Sequence, residues 1–185
     1  KNSFLVWFAI VTALGFLTKY STAFFIAGAA VSILLFQREM LKNKFLWIAL
    51  AIFLVIIFPN IIWQMVNGFP VFGHFSELYE TQLDKQSRFD ELKMLVLFLN
   101  PATAVFWITG LLVVPFVTGL KKYRLAAFSL LTAFLLLLAA KGKSYYYFPI
   151  VLGILPFGSV YFEQLFSARK WVLIGWLSLT SIVGT

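Results

Sequence analysis

Apolar residues make up 62% of this 185-residue chain and charged residues only 12%, with Phe alone occurring 22 times. That is more apolar surface than a water-soluble domain of this length can bury, so a soluble globular class is excluded. The formal net charge of +8 does not indicate a nucleic-acid binder: the basic residues form no stripe but stand in twos and threes at the ends of apolar runs, where topology signals and lipid-headgroup contacts lie.

Seven apolar segments follow one another, at residues 3–18, 21–36, 45–63, 94–120, 125–140, 148–166 and 171–185. Most approach or reach the length a helix needs to cross a hydrocarbon core about 30 Å thick. The expected fold is therefore all-α, a polytopic transmembrane helical bundle of six to seven membrane segments. Residues 1–185 read as a single membrane domain. The chain starts within an apolar run and stops within another, so it is expected to be part of a longer chain.

Segments 3–18 and 21–36 are separated only by Lys19 and Tyr20. A lysine amid so long an apolar stretch is costly unless it reaches water, phosphate or a partner. Arg38, Lys42 and Lys44 then form a basic connection, as do Lys121, Lys122 and Arg124, and finally Arg169 and Lys170. Placing these three on the cytoplasmic side gives one consistent parity. Lys19-Tyr20, the 64–93 segment and Lys141–Tyr147 then face outward. The 64–93 segment holds five of the seven acidic residues, Glu77, Glu80, Asp84, Asp90 and Glu91. Asn67-Gly68-Phe69-Pro70 reads as a turn. Beyond it Phe75, Leu78, Tyr79 and Leu83 recur at helical spacing, which predicts an interfacial amphipathic helix in an extracytoplasmic loop. Asn100-Pro101 is expected to break the start of the fourth segment.

The outward cations are the residues most suggestive of chemistry. Thr18-Lys19-Tyr20-Ser21 offers an ammonium beside hydroxyls. Lys141-Gly142-Lys143-Ser144-Tyr145-Tyr146-Tyr147 offers two ammoniums and three phenols on the same side. Lysines supply point charge to a phosphate, and hydroxyls supply donors. Snorkelling lysines and an interfacial tyrosine belt would give the same composition. In Phe58-Pro59-Asn60-Ile61-Ile62-Trp63-Gln64, the amides of Asn60 and Gln64 lie four apart on one helical face, and Trp63 offers a ring face. Such groups can hold a sugar, or they can satisfy a broken helix end. Arg88 is a possible anion contact. The lone His74, in a chain without cysteine, predicts no metal site. No Ser-His-Asp arrangement, phosphate-binding glycine loop or paired metal carboxylates can be assembled.

The order of "LGFLTKYS", a basic loop, "FPNIIWQ…NGFP" and "GKSYYYFPIVLGILPFGSVYFE" resembles the bacterial branch of glycosyltransferase family 39, over Gly15 to Glu163. These enzymes are relatives of the dolichyl-phosphate-mannose protein mannosyltransferases and of the lipid A aminoarabinose transferase. The resemblance implies a GT-C membrane fold and transfer of a sugar from a polyprenyl-phosphate-linked lipid donor to an acceptor at the extracytoplasmic face, in the bacterial inner (plasma) membrane. It implies that Lys19, Lys141, Lys143 and, less closely matched, Arg88 contact the donor phosphate. Tyr145 and Tyr146 would line the same cavity, to which Tyr20, Asn60, Trp63 and Gln64 are added as donor or sugar contacts. The family's acidic catalytic loop has no counterpart here, so the fragment is expected to bind donor lipid without catalysing transfer alone. The catalytic residues, the sugar and the acceptor are not specified. No cofactor is implied, and a divalent metal is left open. The partners implied are the lipid donor and membrane lipids, with no nucleic acid. A transporter or flippase of an anionic lipid or solute is the alternative, but it calls for charged residues within helices on both sides of the midplane.

Overall fold

The computed structural model describes residues 2–85 and 87–183. It is all-α, and the described residues include no strand. Two compact units divide the chain, Lys1–Lys85 and Gln86–Thr185. Three helical stretches are long and apolar enough to cross a membrane: Lys44–Val66, Thr118–Ala139 and Ser144–Leu165. Their backbone polar groups are largely satisfied within the helix, which lipid requires. Ser3–Thr18, Thr22–Phe36 and Lys170–Val183 are shorter apolar helices.

In the first unit, α1 (Ser3–Thr18) packs along α3 (Lys44–Val66), while α2 (Thr22–Phe36) returns between them in sequence. Ala9 and Ala13 on α1 and Ala49 and Ile57 on α3 are buried, and the small residues let the two backbones approach closely. A 3₁₀ turn at Arg38–Lys42 leads to Asn43, which caps α3 by accepting from the Phe45 N–H at 3.0 Å. The Asn43 amide also donates to Asn2 Oδ1 at 3.3 Å. The basic connection thus stands beside the start of α1, and Lys19 stands at the far end of that helix. Pro59 lies inside α3 without ending it. The helix stops instead at the expected turn, where Gly68 and Phe69 take φ of 71° and 56° and the Phe69 N–H donates back to the Gln64 carbonyl at 2.7 Å. Pro70 then opens α4 (Pro70–Leu78), its missing N–H costing nothing at a first turn. A π-helical turn, Tyr79–Leu83, continues it and buries Leu83.

The second unit begins with α5 (Arg88–Phe98) and α6 (Ala104–Leu112). The sequence reads 94–120 as one segment with a break near its start. The break is present and large: the path bends by 101° between Arg88–Phe98 and Pro101–Leu112. Asn100 sits at φ 64°, and its side-chain oxygen accepts from the Ala102 N–H at 3.0 Å while Pro101 has no N–H to offer. The apolar run also ends its α-helix earlier than composition suggests. Leu112 is the last α6 residue, since Pro115 follows closely and the Thr109 carbonyl takes the N–H groups of both Val113 and Val114. A 3₁₀ stretch, Thr118–Tyr123, leads into α7 (Arg124–Ala139), and a 3₁₀ turn, Ser144–Tyr147, into α8 (Phe148–Leu165).

Helices α6 and α8 run antiparallel in close contact at two glycines. A Cβ at Gly158 would lie 1.9 Å from the Phe106 carbonyl oxygen, and one at Gly110 would lie 2.9 Å from the Ile154 carbonyl oxygen. Leu111, Leu131, Leu137, Ile150, Val151 and Ile154 form the buried core around this contact. Helix α9 (Lys170–Val183) is tied to the α5–α6 break, where Trp176 Nε1 donates to the Ala102 carbonyl at 3.0 Å and Asn100 donates to the Thr180 carbonyl at 2.8 Å.

Candidate functional site

Each unit gathers part of the candidate residues around its own hydrogen bonds. In the first unit Tyr20 links three elements. Its hydroxyl donates to Asn60 Oδ1 at 3.2 Å and accepts from Gln64 Nε2 at 2.8 Å. Asn60 and Gln64 share one face of α3 because they are one turn apart. Gln64 is 7% exposed, and its oxygen accepts from the Val71 N–H at 3.3 Å, so one amide joins Tyr20 to the first turn of α4. The Tyr20 ring is held edge-on by Phe16 at 5.2 Å and Phe75 at 6.4 Å. Lys19 is exposed beside this cluster, in extended backbone, its N–H closing α1 on the Gly15 carbonyl at 2.8 Å. Trp63 is on α3 as well but is 55% exposed, outside the hydrogen-bonded group. Of the two uses foreseen for the amides, the contacts bear on the second: the Gln64 side chain satisfies a donor at the start of α4, while Asn60 and Gln64 together hold the Tyr20 hydroxyl.

A cavity of about 310 Å³ lies in the same unit, among Phe8, Ala30, Leu41, Trp47, Leu50 and Phe53. These residues belong to the half of the helices nearest the basic connection, away from Tyr20.

In the second unit the lysine-bearing loop is held by the first turn of α5. Arg88 Nε donates to the Leu138 carbonyl at 3.1 Å, and the Glu91 carboxylate accepts from the Ser144 N–H. Lys141, half-buried, adopts φ 52°, the left-handed region that non-glycine residues rarely occupy. Its N–H turns back to Leu138 at 3.3 Å and that of buried Gly142 to Leu137 at 2.8 Å. Lys143 is half-buried in extended backbone at the start of the Ser144–Tyr147 turn. The Tyr145 and Tyr146 rings lie 4.4 Å apart, with Tyr145 47% exposed. Tyr147, by contrast, is buried against Phe134 at 4.9 Å and serves the core.

Glu91 is the residue that sequence reasoning did not single out. It was one of five carboxylates in a polar segment, where a solvated face is the ordinary expectation. The available signal was its place in a helix's first turn, three residues after Arg88, which puts both side chains on one face. Among the described residues no group of three or more His, Asp or Glu side chains is arranged to hold a metal ion.

Residues 1–63 match the family described as dolichyl-phosphate-mannose-protein mannosyltransferase. No curated protein and no solved structure matches the chain. The matched stretch includes Lys19, Tyr20, Asn60 and Trp63 and ends one residue before Gln64, so the first of the two clusters lies almost wholly in the part of the chain that is similar to these membrane sugar transferases.

Proposed function

We propose that this chain is the donor-binding part of a membrane glycosyltransferase, one of the GT-C, family 39 type. It would transfer a sugar from a polyprenyl-phosphate carrier to an acceptor at the extracytoplasmic face of a bacterial inner membrane. The observation that carries the reading is the family match over residues 1–63, whose Lys19-Tyr20 junction is also where the helix ends converge on a hydrogen-bonded tyrosine. The chemistry suits such a donor. Cleavage at the anomeric carbon leaves negative charge on the carrier phosphate, and ammonium groups aimed at that oxygen stabilise the transition state more than the ground state. Lys19 in the first unit, and Lys141, Lys143 and Arg88 in the second, are assigned to that charge. Tyr20, Asn60, Trp63, Gln64, Tyr145 and Tyr146 are assigned to the phosphate surroundings and the sugar. A carboxylate outside these groups would deprotonate the acceptor hydroxyl. The charged residues of the three long spans, Lys44, Lys121, Lys122, Arg124 and Glu163, stand toward their ends, which favours a transferase over a transporter that moves charge through its helices.

The test is binding of a polyprenyl-phosphate sugar to the full-length protein in detergent, wild type beside Lys19→Ala. Saturable binding weakened tenfold or more by the substitution, about 1.4 kcal/mol, supports the assignment. Absence of binding, or binding indifferent to Lys19, refutes it.

A further inference from the structure

The Lys141–Lys143 loop is an unfavourable structure to leave to itself. It is short, it joins two apolar helices, and it holds a lysine at φ 52°. A non-glycine residue there is less stable than in the right-handed region, so an isolated loop would relax to other conformations. Two side chains from one turn of α5 oppose that relaxation. Arg88 takes hold of the loop where α7 ends, through the Leu138 carbonyl, and Glu91 takes hold where the next turn begins, through the Ser144 N–H. The two lysines lie between these anchor points in sequence. The Leu138 carbonyl also accepts from the Lys141 N–H, so Arg88 and the strained residue share one acceptor. Glu91 is half-buried, and its carboxylate is engaged by the Ser144 N–H.

We propose that Glu91 is a positioning residue for donor binding: anchored on the Ser144 N–H, and paired with Arg88 on Leu138, it fixes the loop so that Lys141 and Lys143 meet a lipid phosphate in a set geometry. The assignment rests on the donor-binding reading above. It concerns the loop's conformation, so the acceptor capacity of residue 91 matters more than its charge.

The experiment measures the dissociation constant of a short-chain polyprenyl phosphate for the full-length protein in detergent. Wild type, Glu91→Ala, Glu91→Gln, Lys141→Ala and the Glu91→Ala/Lys141→Ala double variant are compared, with the detergent-unfolding midpoint of each recorded. Glu91→Ala should weaken binding tenfold or more. Glu91→Gln keeps an oxygen for the Ser144 N–H and should stay within threefold of wild type. Lys141→Ala should weaken wild type severalfold and the Glu91→Ala protein less than twofold, because a lysine on a released loop has little left to lose. A general loss of fold would lower the unfolding midpoint and would not produce that non-additivity. Wild-type binding that is indifferent to Glu91→Ala, or effects of Glu91 and Lys141 that multiply independently, overturns the positioning role alone. Failure of wild type to bind overturns the donor-binding reading and this role with it.

Discussion

The glycine contact between α6 and α8 gives the sharpest test of the second unit. In Gly158→Ala the new methyl carbon would meet the Phe106 carbonyl oxygen at 1.9 Å and its carbonyl carbon at 2.7 Å. It needs roughly 1.5 Å more room to reach ordinary contact distance. Nothing soft can give way, because both atoms belong to the backbone of α6. The helices must therefore separate, which loosens the Phe106–Phe162 ring contact and the seat of Ile154. Overpacking of well-filled interiors costs about 1–3 kcal/mol, and a backbone obstacle puts this case at the top of that range. Gly153→Ala is the matched control, on the same helix: its methyl meets only the end carbons of Leu130, at 3.3 and 3.8 Å, which can rotate aside. Both substitutions gain up to about 1 kcal/mol of helix propensity, so the difference between them isolates the contact. The measurement is reversible unfolding of the full-length protein in mixed micelles of rising SDS content, followed by far-UV circular dichroism. Gly158→Ala should unfold at clearly lower SDS than Gly153→Ala, with a gap of about 2 kcal/mol or more. Equal midpoints would refute the close antiparallel packing of α6 on α8.

Two further predictions concern the clusters. Tyr20→Phe removes the hydroxyl between Asn60 and Gln64 and leaves the buried Gln64 amide short of a partner, at a cost of about 1–3 kcal/mol in the same titration; an unchanged midpoint would mean that the three side chains do not form one network. Lys141→Gly relieves the left-handed backbone but adds freedom to the unfolded chain, and these effects, each about 1 kcal/mol, offset one another. Stability should thus stay within about 1 kcal/mol of wild type while polyprenyl-phosphate binding falls severalfold; intact binding would show that the Lys141 ammonium takes no part.

The helices were legible because apolar runs between charged clusters have few other ways to satisfy their backbone in lipid. Asn67–Pro70 and Asn100-Pro101 were legible because Gly, Pro and Asn act within a few residues of themselves. What escaped is non-local. The size of the bend at Asn100, 101°, depends on α9, whose Thr180 carbonyl takes the Asn100 amide from 80 residues away. The early end of α6 needs Pro115 and a shared Thr109 carbonyl, which hydropathy averages away. The Glu91–Ser144 contact spans 53 residues, and no spacing rule reaches so far. The lysine motifs were readable from local composition; the groups that hold their backbone were not.

That difference bears on the two explanations open for the lysines of the Lys141–Tyr147 loop. A lysine that merely snorkels needs a flexible stem and no defined backbone, since any rotamer that reaches water serves. Such a residue is served by any position near a helix end, as at Lys121 and Lys122 in the 3₁₀ stretch before α7. Lys141 instead occupies a left-handed position within a turn gripped from both sides by one helix face. Glycine would take that position without strain; Gly142, the next residue, answers a different need, since a Cβ there would lie 3.1 Å from the Leu137 carbonyl oxygen. A backbone cost of about 1 kcal/mol at this loop, offset by anchors on the Leu138 carbonyl and the Ser144 N–H, fits a binding function better than snorkelling, which needs no set backbone. The decisive comparison is therefore Lys141→Gly against Lys141→Arg: the first keeps the turn and loses the cation, the second keeps a cation and the strain. Binding lost in the first and largely kept in the second assigns the position to a bound anion; equal binding in both returns it to the interface.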